Sequence, residues 1–224
     1  MRRALRILSR LLIVAGVLLV VEGALTLLWE EPVSSLYARA QQDKLDDRLA
    51  QIERAGPSSL ERRALARLPN DGRRLRFAAR AALPRARVGD PVGRLRAEAI
   101  GLDEVVVQGT EAAMLRKGPG HYPDSPLPGA RGTVAIAGHR TTYGAPFRDV
   151  DDLDRADRIE LRMPYGRFTY RVERTRIVAP TATWVTRRVS YDRLVLTACH
   201  PLYSAAQRIV VFARLERAQP TFGS

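Results

Sequence analysis

A chain of 224 residues, 46% of them hydrophobic, can bury a sizeable core and has room for one globular domain plus an appendage. The formal charge of +13 fits nucleic acid, an anionic membrane or a polyanionic envelope, and by itself decides among none of them. The single cysteine excludes an intramolecular disulfide, and with it the disulfide-stapled class of small secreted domains.

In chain order, the first feature is a basic stretch, 1–10, carrying Arg2, Arg3, Arg6 and Arg10, followed by LLIVAGVLLVVEGALTLLW at 11–29. About twenty mostly apolar residues are enough for a helix to cross a hydrocarbon core of about 30 Å. Arginines before the run and Glu30 and Glu31 after it predict a single-pass anchor, with a cytoplasmic N-terminus and the remaining chain extracytoplasmic. A cleaved signal peptide is the competing reading, but the run is long for one and no convincing A-x-A site follows. Glu22 inside the run is read as a tolerated polar residue near the outer interface, where it can be protonated or paired with a partner helix. This topology turns the basic domain outward and disfavours a nucleic-acid partner.

From 30 to 91 the chain is rich in Arg, Ala, Leu, Asp and Gln and poor in β-branched residues, which predicts a helical stalk. Val33, Leu36, Tyr37, Ala40, Leu45, Leu49 and Ile52 keep a three-to-four spacing, and Ser58 with Glu61 forms a capping-box pattern. Pro57, Pro69, Pro84 and Pro91 divide the stretch into short pieces. The basic run Arg73 to Arg76 is read as a solvated face, with lipid head groups or wall polymers as the alternative partner.

Beyond 91 the pattern changes to short strands punctuated by Gly, Pro and Asp, expected at 92–97, 104–108, 133–138, 158–163, 167–175, 194–199 and 208–215, with a short helix at 110–116. This is the signature of an all-β barrel or sandwich, placed at 92–216 and followed by a tail at 217–224.

The chemistry centres on LVLTACHPLY. Cys199 ends an apolar strand, and on the sequence alone it is buried and inert, bridged to another chain, or reactive. Arg208 opens the next strand, so the intervening loop can bring a guanidinium beside the thiol. There it would supply hydrogen bonds to an oxyanion, or else be a surface charge at a strand edge. His139, in VAIAGHRTTYGAPF, also sits just past a strand end, where an imidazole can exchange a proton with a departing amine or serve as a loop histidine.

Two segments, GPGHYPDSPLPGARGTVAIAGHR and LVLTACHPLYSAAQRIVVFARL, resemble the sortases, membrane-anchored cysteine transpeptidases of bacterial cell surfaces, and most of all the class E members of high-GC Gram-positive bacteria. The resemblance implies an eight-stranded β-barrel with short helices, with Cys199 as nucleophile, His139 as acid and base, and Arg208 at the oxyanion. It also implies cleavage of an L-P-x-T-G or L-A-x-T-G sorting signal between Thr and Gly. The acyl group would pass through a thioester to an amine of a peptidoglycan precursor or a pilin lysine. The family pattern T-L-x-T-C reads Val195, Leu196, Thr197, Ala198, Cys199 here, so a hydroxyl expected to touch the bound peptide is missing at Ala198.

Tyr122, Thr197, Ala198 and His200 are the further candidates for substrate contact, with turn or packing roles the alternative for Tyr122 and His200. Zinc held by His121, His139, Cys199 and His200 lacks any supporting ligand spacing. Asp151, Asp152 and Asp154 fit a turn better than a calcium site, so neither metal nor cofactor is expected. Two competing readings remain. One is a papain-like or wall-cleaving cysteine hydrolase, which usually places Cys before His. The other is an inactive anchored binding module, for which Ala198 is the best support.

Overall fold

A computed structural model of the chain describes residues 2–28 and 32–221, with side chains described for 6–21, 23 and 34–221. The side chain of Glu22, together with Glu30, Glu31 and residues 222–224 of the expected tail, therefore lies outside the description.

Helix α1 spans Arg2–Leu28. Its side chains from 6 to 21 are all exposed, including the apolar residues from Leu11 to Val21. Among the described residues no helix is long and apolar enough to cross a membrane; of the expected span, residue 29 and the side chains of 22 and 24–28 lie outside the description.

Three helices follow. Helix α2, Pro32–Ala55, ends at Gly56, whose φ of 59° is the left-handed conformation that commonly terminates helices, with Pro57 behind it. Helix α3, Ser59–Ala66, starts on the expected capping box: Ser58 Oγ accepts from the Glu61 N–H at 3.3 Å, and the Ser58 N–H donates back to Glu61 Oε2 at 2.9 Å. Helix α4, Asp71–Ala82, is capped by Asn70 and turns Leu75 and Ala79 into the main core.

The stretch expected as a helical stalk packs against the barrel. Leu45 and Leu49 of α2 are buried on Val105 and Val107. Arg94 pairs with Asp46, and Arg162 with Glu53. Apolar positions at helical spacing needed a surface to cover, and the barrel supplies it.

Eight strands close into a barrel: β1 Pro91–Ala97, β2 Leu102–Gln108, β3 Gly120–His121, β4 Thr133–Ala137, β5 Arg158–Met163, β6 Gly166–Val178, β7 Arg193–His200 and β8 Gln207–Pro220, in the order β1-β2-β3-β4-β7-β8-β6-β5. The last strand runs to Pro220, so 217–220 are paired with β6 and do not form a free tail. The short helix α5, Ala112–Leu115, lies between β2 and β3.

Alternation along the strands sets which side chains face which way. On β4, β7 and β8 the residues Val134, Ile136, Leu194, Leu196, Ala198, Ile209 and Val211 fill the interior. Val195, Val210 and Phe212 face outward under Val185 of the helical turn Thr183–Thr186.

Candidate active site

Strand β7 lies between β4 and β8, and that order builds the site. It runs parallel to β4 with Ala137 opposite Thr197, and the Gly138 N–H donates to Thr197 O at 3.0 Å. Carrying the register onward brings His139 level with Cys199. On the other side β7 is antiparallel to β8 and Cys199 is paired directly with Arg208. Residues paired across neighbouring strands project from the same face. Cys199 and Arg208 therefore share the outer face of the sheet, with His139 at the end of the adjoining strand.

Cys199 is a half-buried free thiol. Arg208 is also half-buried, and its Nη1 donates to Ala205 O at 3.0 Å and Gln207 O at 2.9 Å, which holds the guanidinium against its own loop. No carboxylate among the described residues pairs with it. His139 is half-buried, and its Nε2 is enclosed without a hydrogen-bond partner. Burial lowers its pKa, and the nearby Arg116 guanidinium lowers it further. The ring lies 5.4 Å from that of Tyr143.

The residue before His139 is glycine because Phe147 is there: a Cβ on Gly138 would come within 2.5 Å of the Phe147 ring, which is fully buried. The Phe147 N–H also donates to His139 O at 2.9 Å. The residue after His139 is Arg140, only 3% exposed. Its guanidinium pairs with Asp151 at 2.6 Å, donates twice to Arg148 O, and donates to His200 Nδ1 at 3.2 Å.

Among the substrate-contact candidates, Thr197 faces outward and its Oγ1 lies 3.0 Å from Tyr122 Oη. Ala198 does not belong with them. It is 3% exposed inside the barrel core, so the missing hydroxyl is one that would have pointed away from the cleft. His200 is engaged by Arg140. His121 is buried elsewhere, on Gln108 and Ser125, and burial brings its pKa down to about 4. Asp151 serves Arg140, and among the described residues no group of three His, Cys, Asp or Glu is placed to hold a metal.

Arg140, Phe147, Tyr143 and Arg116 escaped the sequence reading. Arg140 adjoins His139, but nothing in its spacing sets it apart in a chain with 37 lysines and arginines. Tyr143 and Phe147 stand in a turn-like segment that lacks the periodicity by which core residues are recognised.

Comparison with known proteins agrees with this architecture. The family model described as "Sortase domain" matches residues 95–216. Sortase D of Bacillus subtilis is 34% identical over 130 residues, covering 56% of this chain. The chain spans 64% of the length of that relative. Sortase SrtE2 of Streptomyces coelicolor is 24% identical over 99% of this chain and 85% of its own. Among solved structures, sortase E from Streptomyces avermitilis superposes with a TM-score of 0.55 at 31% identity, covering 60% of this chain and 93% of its own. With its eight-stranded barrel and a matching domain over more than half its length, the chain belongs to the sortase family.

Proposed function

We propose that this protein is a membrane-anchored cysteine transpeptidase with Cys199 as nucleophile, His139 as proton carrier and Arg208 as oxyanion ligand. The observation that carries the reading is the register of β4, β7 and β8, which aligns these residues on neighbouring strands at one edge of the barrel.

The thiolate of Cys199 attacks the threonine carbonyl carbon of an L-P-x-T-G or L-A-x-T-G sorting signal. Negative charge gathers on the carbonyl oxygen and accepts hydrogen bonds from Arg208 N–H groups. As the C–N bond breaks, protonated His139 gives its proton to the glycine nitrogen, leaving a thioester on Cys199. An incoming amine, from a wall precursor or a pilin lysine, gives a proton to His139 and attacks the thioester. The C–S bond breaks, an amide forms, and thiolate and imidazolium are regenerated.

Thr197 and Tyr122 form the wall beside the nucleophile and contact the bound peptide, while His200 acts through Arg140. The catalytic domain is extracytoplasmic on an α1 anchor, supported by the arginines ahead of the 11–29 run and by the exposure of its described apolar side chains. The inactive-module reading loses its main support, since Ala198 faces the core.

The test is to incubate the full chain in detergent with L-P-x-T-G and L-A-x-T-G peptides plus an amine, and to follow Cys199 by mass spectrometry. A thioacyl adduct and an amide product are expected with one or both peptides, and neither with Cys199→Ala. Free acid as the sole product despite abundant amine would replace the reading with a hydrolase, and no adduct with either peptide would remove it.

A further inference from the structure

We propose that the acceptor amine carries a carboxylate close to its nucleophilic nitrogen, and that Arg116 binds this carboxylate. This rests on the transpeptidase reading above and names the substrate class of its second step.

Arg116 stands at the end of α5, exposed, with its guanidinium carbon 5.5 Å from the centre of the Tyr143 ring. The His139 ring lies 5.4 Å from the same ring, so arginine and histidine meet on one aromatic side chain. Several arginines of the barrel surface are held by an acidic partner: Arg94 has Asp103, Arg171 has Glu216, and Arg214 has Glu173. Among the described residues none pairs with Arg116.

The position is built. Tyr143 holds a left-handed backbone with φ 53°, which costs energy in a residue with a Cβ. Helix α2 secures it: the Tyr143 N–H donates to Ser34 Oγ at 3.2 Å, and the Tyr37 ring meets it edge-on at 6.4 Å. The residue after Arg116 is secured by the same helix. Gln42 Nε2 donates to Lys117 O at 2.8 Å and to Val105 O at 3.1 Å, while Gln42 Oε1 accepts from the Val105 N–H at 2.7 Å.

An unpaired cation beside His139 works against a histidine that must hold a proton, adding to the lowering of its pKa by burial. An anion arriving with the substrate removes that conflict. Chemistry says which substrate. The leaving amine takes its proton from His139, and the acceptor amine must return one to the same nitrogen, so acceptor substituents lie on the His139 side of the thioester. Arg208 flanks Cys199 from β8, on the opposite side of β7. The two arginines thus divide the reaction: Arg208 attends the acyl oxygen and Arg116 attends the amine. A planar guanidinium is well suited to take a carboxylate through two parallel hydrogen bonds.

The experiment compares glycylglycine with glycylglycinamide as acceptors for the full chain in detergent, with wild type, Arg116→Gln and Arg116→Lys. Because Arg116→Gln also relieves His139, its rate is expected to change with both acceptors, and the acid-to-amide ratio of kcat/KM isolates the carboxylate contact. That ratio is expected to fall about tenfold in Arg116→Gln and to be largely restored in Arg116→Lys. An unchanged ratio overturns the proposal, including the case in which only cleavage of the sorting peptide slows, which would assign Arg116 to the leaving peptide. Absence of a wild-type adduct on Cys199 would remove the transpeptidase reading and this proposal with it; an adduct with an unchanged ratio removes this proposal alone.

Discussion

Arg140 Nη1 donates to His200 Nδ1 at 3.2 Å, and so joins the residue after His139 to the residue after Cys199. The same guanidinium is buried and paired with Asp151, so this interior arginine adds a side-chain link to the strand register that places thiol and imidazole. Arg140→Gln leaves the Arg148 carbonyl and Asp151 short of donors. Stability is expected to fall by about 3 kcal/mol, the low end for a broken buried pair because Asp151 is partly solvated. A small displacement of His139 is expected to lower kcat about 100-fold with little change in KM. Measured well below the melting temperature, that split separates misalignment from simple unfolding.

Gly138→Ala drives a methyl group into the Phe147 ring and is expected to cost roughly 1–3 kcal/mol in urea denaturation. Phe147→Leu in the same chain makes room. The double variant should therefore lose less than the sum of its parts, and strict additivity would refute the packing argument.

The hydroxyl exchange between positions 197 and 198 separates the two faces of β7. Thr197→Val removes the partner of Tyr122 Oη and is expected to cost about 1 kcal/mol and to slow acylation. Ala198→Thr places a hydroxyl in the core. It should lower stability by roughly 1–3 kcal/mol with no gain in acylation, despite restoring the family pattern. A faster Ala198→Thr enzyme would contradict the inward orientation.

Burial pushes the Glu104 carboxyl up to about 7, with Asp103 adding to the shift and Arg94 opposing it. An unfolded glutamate titrates near about 4.3, so the folded state holds the extra proton between these values. Stability from this group is complete below about 4.3 and is lost as the pH rises through about 7. Glu104→Gln should accordingly melt higher than wild type at pH 8 and alike at pH 4, by thermal denaturation at both.

His121 acts on the other flank. Its folded pKa of about 4 lies below the unfolded value near about 6.5, so its contribution is present above about 6.5 and is lost as the pH falls through about 4. An NMR titration of His121 should show no protonation at pH 6, where an exposed histidine is largely charged.

How legible these features were depended on the length over which a residue acts. Strands β5, β7 and β8 stood out because alternating or continuous apolar runs carry their own period, and His139, Cys199 and Arg208 were visible as reactive types at strand ends. Strand β3 was not, because Gly120 and His121 are too few to show any period. The docking of α2 was also hidden. Leu45 and Leu49 announce a covered face without saying what covers it, and Gln42 reveals its role only when Val105 and Lys117 arrive from distant parts of the chain. Ala198 was misread because a motif aligned by letters does not say which side of a strand each letter faces.

The contact of Ser34 and Tyr37 with Tyr143 also sets a ruler. Helix α1 ends at Leu28, and even a fully extended chain from there to Ser34 spans no more than about 20 Å. If α1 is the anchor proposed above, the rim of the cleft is tethered within that distance of the lipid surface. Under that proposal a scissile bond held far above the membrane would lie out of reach, and only partners close to the lipid surface could be captured.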